Sequence, residues 1–291
     1  MKAGDSVDLL VLAAFWGASF LFMRVAGPEF GPIALVQLRL GTAALFLLPI
    51  FLLRIEFSEL TTNWRKLTLL GVLNSAMPFL LLTYATLTIT GGFAAILNAT
   101  APIWAALIAW IWLSDRLTTS GIVGILVGFA GVFVLVGDTV SLALPGSTNA
   151  AFAVVLASFL YGVGGNFVRK YMHGLKPLTI ATGSQLAAAI VMLPASIAYW
   201  PDNPISLRAW LAVVIMGIVS TGLAYILYFR LIANIGPTKA ITVTYLVPAF
   251  AMVWGVLLID ELVTADMIIG CLIIFFGTTL ATGVFQKADT R

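Results

Sequence analysis

Residues 97–135 read LNATAPIWAALIAWIWLSDRLTTSGIVGILVGFAGVFVL, and residues 244–280 read TYLVPAFAMVWGVLLIDELVTADMIIGCLIIFFGTTL. In each stretch an apolar run carries a proline, Pro102 or Pro248, and closes near an acid, Asp115 or Glu261. A second apolar run with spaced glycines follows: Gly124 and Gly131 in one, Gly270 and Gly277 in the other. The runs approach the ~20 residues needed to cross a ~30 Å hydrocarbon core. Each stretch therefore reads as two membrane-spanning helices, and the chain holds this unit twice.

The duplication extends outward from these stretches. A shift of 146 also places Trp64 on Trp210, Gly71 on Gly217 and Ala94 on Ala240. A shift of 145 places Gly17 on Gly162, Phe22 on Phe167, Arg24 on Arg169, Pro32 on Pro177 and Pro49 on Pro194. One residue inserted in a loop accounts for the change of offset. Ten apolar blocks result, starting near Val7, Pro32, Lys66, Gly91, Ser120, Asn149, Lys176, Arg208, Thr238 and Ala265. The expected fold class is an all-α membrane protein of ten transmembrane helices, in two five-helix repeats at residues 1–140 and 141–291. Five is odd, so the second repeat enters the membrane from the opposite side and the repeats are inverted. Such repeats place a substrate site near the bilayer midplane, where they meet.

Composition agrees. Of 291 residues 61% are hydrophobic and 9% charged, with mean hydropathy +1.09. So few charges cannot coat a soluble domain. The net charge of +3 is spread over loops, so no nucleic-acid partner is expected. With the N-terminus inside, twelve of the 15 basic residues fall in cytoplasmic segments and two, Arg24 and Arg208, outside. Arg39 lies within a span. This bias places both termini in the cytoplasm.

An enzyme is not expected. The single histidine, His173, sits in a loop, and Cys271 has no second cysteine to pair with. No metal-ligand spacing occurs, so neither metal nor cofactor is expected. Asn98-Ala99-Thr100 matches a glycosylation sequon but lies within a span. Gly162, Gly164 and Gly165 follow no strand and read as helix packing. Gly121, Gly124, Gly128 and Gly131 line one helix face, which fits close packing within the chain or in a homodimer.

The two quoted stretches, with Pro102 and Asp115 in one and Pro248 and Glu261 in the other, resemble the paired repeat of the drug/metabolite transporter superfamily, EamA type. Trp16-Gly17-Ala18-Ser19-Phe20 is similar to that family's first helix. Ser114-Asp115 stands where the family usually has Gly-Glu. The resemblance covers nearly the whole chain and implies a ten-helix fold that exports metabolites or amino acids. Within the family the chain is similar to the YddG-like amino-acid exporter group.

Polar and aromatic residues inside spans are the candidate substrate-binding residues. At ~100° per residue Asn74, Met77, Leu81 and Tyr84 share one face of the third helix. Thr221, Tyr225 and Tyr228 make a similar stripe on the eighth. Trp16, Asn98, Trp104, Tyr161, Asn166, Gln185 and Tyr245 complete the set. For the asparagines and Gln185 the alternative is interhelical glue, and for the deeper aromatics it is ordinary packing. Arg39 is expected to face inward, either binding a substrate carboxylate or holding helix-end carbonyls. Pro78, Pro102 and Pro248 are expected to kink their helices, as hinges or as fixed bends. No acid or histidine lies at mid-span, so a facilitator rather than a proton-coupled pump is expected. The resulting expectation is a multi-pass inner-membrane exporter of small molecules, aromatic or other apolar amino acids first among them, working by alternating access in the lipid bilayer. The alternatives are a multidrug or other metabolite exporter of the same fold, or a non-transporting membrane scaffold or receptor.

Overall fold

A computed structural model describes residues 3–53, 57–141, 145–235 and 240–282, and all regular structure among them is helical. The main helices are α1 (Ala3–Leu52), α2 (Trp64–Thr86), α3 (Gly91–Leu113), α4 (Thr119–Ser141), α5 (Ser147–Tyr171), α6 (Pro177–Ala198), α7 (Leu207–Ile232), α8 (Val247–Ile259) and α9 (Ala265–Thr282). Among the described residues seven of these are long and apolar enough to cross a membrane; Thr119–Leu135 of α4 and Val247–Ile259 are shorter apolar stretches. A surface helix, Phe57–Thr62, lies between α1 and α2.

At 50 residues α1 would run about 75 Å if straight. It is broken at Gly31, whose φ of 68° and ψ of 165° are non-helical. Only glycine takes that conformation without a steric penalty. Pro32 then opens the second arm, where its missing N–H leaves no bond unmade. The arms, 3–30 and 32–52, are each long enough to cross a bilayer. The corresponding point in the second half is the junction between α5 and α6, where Pro177 again opens a helix.

Contacts between the two halves come in exchanged pairs. A Cβ on Gly17 would lie 2.7 Å from Phe250 Cβ and 2.9 Å from Ala251 N; one on Gly162 would lie 2.8 Å from Ala105 N and 2.9 Å from Trp104 C. Gly71 packs against Ser184 and Ala188 of α6, while Gly217 packs against Arg39 and Thr42 of α1. Each pair is the other moved along the chain by 145 or 146. The backbone repeats itself too. Ser114 and Asp260 both take left-handed conformations, with φ of 57° and 54°. Each closes the turn before its acid, Asp115 N donating to Ala109 O at 3.2 Å and Glu261 N to Gly255 O at 3.1 Å.

The glycines of α4 meet those of α9 inside the chain. A Cβ on Gly124 would sit 2.6 Å from Gly277 O, and one on Gly131 would sit 3.0 Å from Ile274 N. The stripe that suited either an internal contact or a homodimer is thus occupied internally.

Pro78, Pro102 and Pro248, expected to kink their helices as hinges or fixed bends, lie at changes of helical geometry. Each sits in the first turn of a new helical segment, at Met77–Thr86, Ala101–Leu113 and Val247–Ile259. A π turn (Val72–Ala76) precedes the first, a non-helical turn at 99–100 the second, and a 3₁₀ turn (Ile241–Tyr245) the third. Around Pro78 the dihedrals stay helical, so α2 runs on through the proline.

Candidate functional site

The centre of the bundle is built around Arg39, on the second arm of α1 and only 4% exposed. Its Nε donates to Thr221 Oγ1 at 3.1 Å, and its guanidinium carbon lies 3.6 Å from the centre of the Phe79 ring. Tyr161 and Tyr225 lie close enough to interact with it electrostatically. Tyr225 Oη accepts from Gln185 Nε2 at 3.4 Å, and the same nitrogen donates to Ser75 Oγ at 2.8 Å. Asn74 and Ser75 also bond with the Tyr225 hydroxyl. Trp16 and Tyr228 extend the cluster, with ring centres 5.3 Å apart.

Matched features of the two halves set these positions. Gly217 lets the backbone of α7 approach Arg39, a Cβ there coming 2.9 Å from Arg39 O. Gly71 does the same for α2 beside Ser184, one residue before Gln185. Both approaches are followed by a π turn, Val72–Ala76 in α2 and Ile218–Leu223 in α7. The first carries Asn74 and Ser75; the second carries Thr221, whose Oγ1 donates back to Met216 O at 3.3 Å. π turns fit an extra residue into a helix and recur at functional sites. Here they direct hydroxyl and amide groups into the space between the halves.

The structure therefore brings together Trp16, Arg39, Asn74, Tyr161, Gln185, Tyr225 and Tyr228. It places the other expected residues elsewhere. Met77 and Tyr84 are 41% and 44% exposed, on the face of α2 opposite Phe79. The stripe through Asn74, Met77 and Tyr84 assumed a continuous α-helix, and the π turn rotates the register between Asn74 and the rest. Asn166 ties α5 to α3, donating from Nδ2 to Ala105 O and Gly162 O, both at 2.9 Å. Asn98 contacts Ser158 across the same pair of helices, Oγ to Oδ1, at 3.4 Å. Trp104 packs edge-on against Phe129 and Phe159, at 5.0 and 5.5 Å. Tyr245 bonds to Thr282 at 3.0 Å and packs on Phe275 of α9. Ser75, Phe79 and Thr221 complete the central cluster without having been singled out, apart from Thr221 in the α7 stripe. A serine, a phenylalanine and a threonine within apolar runs carry no signal of their own.

A charge buried at this depth costs at least ~2.5–3.5 kcal/mol on insertion scales. The Phe79 contact offsets part of that, a desolvated cation–π pair contributing ~2 kcal/mol. Arg39 has no carboxylate partner among the described residues, whose ion pairs are Arg24–Glu261, Arg169–Asp115 and Arg230–Asp8. The cluster is a polar centre with net positive charge in an apolar bundle, suited to holding a small polar or anionic group.

The EamA-like transporter family matches this chain twice, at residues 7–137 and 148–283. An uncharacterized transporter of Archaeoglobus fulgidus is 24% identical over 277 residues, covering 93% of this chain and 96% of that protein. The uncharacterized transporter YyaM of Bacillus subtilis is 26% identical over 303 residues, covering 98% and 96%. A Streptantibioticus cattleyicolor protein named "Probable terminal-alkyne amino-acid exporter" is 25% identical over 272 residues, covering 87% and 85%. A crystal structure at 18% identity superposes with a TM-score of 0.71 over 99% of this chain and 100% of the other, a likeness of fold. With helices apolar enough to cross a membrane, a polar centre between its halves and the family matched over both, the chain is a multi-pass membrane protein that belongs to the EamA-like transporter family.

Proposed function

We propose that the protein is an inner-membrane exporter of small metabolites, aromatic and other apolar amino acids first among them. It works by alternating access between two inverted five-helix repeats, residues 1–140 and 141–291. Counting the two arms of α1 separately gives ten spans, with both termini cytoplasmic. The observation that carries this reading is the Arg39 cluster, drawn from α1 and α2 on one side and α5, α6 and α7 on the other. A site shared between two exchangeable halves is reached from one face and then the other as they rock. The exchanged glycine contacts support the inversion, and the Streptantibioticus exporter's name supports amino-acid chemistry.

Trp16, Arg39, Asn74, Tyr161, Gln185, Tyr225 and Tyr228 line the path in this reading. The junctions at Pro78, Pro102 and Pro248 are its hinges, since a helix whose geometry already changes there bends with few bonds to break. A multidrug or other metabolite exporter is the second reading, favoured by the aromatic content of the cluster. Counterflow of an amino-acid panel into liposomes carrying the purified protein tests the proposal. Exchange of phenylalanine or leucine at rates well above empty liposomes supports it. Counterflow of organic cations with no amino acid moved favours the second reading. Silence across both panels returns the scaffold.

A further inference from the structure

From the unbalanced charge of Arg39 we infer that its guanidinium is the seat for a carboxylate on the transported molecule, so that the substrate class is monocarboxylates with an apolar body. The inference rests on reading the central cluster as the transport site. Nε is already held by Thr221 Oγ1 at 3.1 Å, and the Phe79 ring covers one face of the group at 3.6 Å. These two contacts fix the plane of the guanidinium. They leave the Nη1 and Nη2 edge, the two parallel donors that one carboxylate accepts.

Charge sets the valence. Among the described residues no carboxylate bonds to Arg39, and it is 4% exposed. One carboxylate meets that charge, on a monoanion or on a zwitterion. A dianion such as a phosphate ester would bring in a second charge with no cation to meet it, at a desolvation penalty. The surroundings select the remainder of the ligand. The Phe79 ring lies against the charge, which suits an aliphatic or aromatic body, and Tyr161 and Tyr225 interact with it electrostatically. A purely structural arginine would spend its donors on helix-end carbonyls; among the described residues Arg39 makes no such bond, in contrast to Arg24, which donates to Thr86 O at 2.7 Å.

The test compares leucine, leucinamide, 4-methylpentanoate and inorganic phosphate as ligands of purified protein, by thermal stabilisation and by counterflow. The wild type should prefer leucine over leucinamide at least tenfold in apparent affinity and ignore phosphate. Arg39→Gln should weaken leucine at least tenfold, to the level of leucinamide, while melting near the wild type without ligand. Arg39→Lys, which keeps the charge and loses the fork, should recover part of the preference. Equal affinity of the wild type for leucine and leucinamide overturns the carboxylate seat and leaves amino-acid transport standing. Binding of 4-methylpentanoate but not leucine keeps the seat and removes the amino-acid reading. No carboxylate binding at millimolar concentration, or competition by phosphate in the same range, overturns the inference. If Arg39→Gln does not fold, the wild-type preference decides alone.

Discussion

Arg24 Nε donates to Glu261 Oε1 at 3.0 Å, and Arg169 and Asp115, the residues that the repeat shift sets in their places, pair with each other at the far end of the bundle, at 2.5 and 3.2 Å. The two pairs lie at opposite ends of α3, about 33 Å apart along its axis: Glu261 accepts from Gly91 N at 2.9 Å, and Asp115 follows Leu113. Each joins one half of the chain to the other. They differ in setting. The Glu261 side chain is 7% exposed and crosses to the N-terminus of α3, whereas that of Asp115 is 41% exposed.

This asymmetry gives the first prediction. Glu261→Gln loses a charge-assisted, largely buried bond of the kind contributing ~1.5–3 kcal/mol. Asp115→Asn loses an exposed pair of ~0–1 kcal/mol. Glu261→Gln should therefore lower the melting temperature distinctly more than Asp115→Asn. It should also raise the reactivity of a cysteine introduced at Thr90, beside the buried pair. Equal melting shifts for the two variants would mean that burial adds nothing to the Glu261 pair.

Packing of α4 on α9 gives the second. Leucine at Gly124 or Gly277 has to displace backbone, since a Cβ at Gly124 would already lie 2.6 Å from Gly277 O. Such overpacking costs at least ~1–3 kcal/mol. Both variants should give little monodisperse protein on size exclusion, while Gly41→Ala, where a Cβ meets nothing within 4 Å, should behave as wild type.

The third concerns the path. Gln185→Leu removes an amide that bonds Ser75 and Tyr225, and should reduce kcat/KM for the transported amino acid about tenfold. Met77→Ala and Tyr84→Ala should stay within about twofold, because both residues face away from Phe79. Flux measurements on the three variants side by side check the assignment, and a strong effect of Tyr84→Ala would move the path to the other face of α2.

The divide between residues placed and residues missed has a physical cause. Gly17, Gly71, Gly162 and Gly217 were legible as a repeat because each is a site where no side chain fits, and the structure shows what fills it: the backbone of the other half. Arg39 was legible because an intramembrane charge must face protein or water. The face of α2 was not, because the turn at Val72–Ala76 departs from 100° per residue and nothing in VLNSA announces it. The role of the prolines is hard to read for a related reason. Their effect depends on whether the helix is already broken before them, which the sequence pattern does not reveal. Asn166 and Trp104 are polar or aromatic residues inside spans like Gln185, yet they serve the contact of α3 with its neighbours. Composition cannot separate those uses.

The fourth prediction concerns topology, read from the loop charges. In a background with Cys271 replaced, cysteines at Ser147 and Asn203 should react with an impermeant thiol reagent in intact cells, and cysteines at Thr61 and Gly174 only after lysis. The reverse pattern would turn the whole bundle over and put the Glu261 pair at the cytoplasmic end.

Energy coupling separates a facilitator from a pump. The Arg39 cluster contains no Asp, Glu or His, and the side chain of Arg39 stays protonated at any physiological pH. Asp8 pairs with Arg230 at 2.9 Å and Asp5 accepts from Asn234 Nδ2 at 3.0 Å, both where α1 begins rather than at its centre. The direct measurement is uptake of a labelled amino acid identified by counterflow into proteoliposomes, at equal pH and then with a pH gradient imposed in each direction. A facilitator gives saturable downhill flux at equal pH, unchanged by either gradient and stopping at equilibrium. Flux that requires the gradient, or accumulation above the outside concentration driven by it, would contradict it.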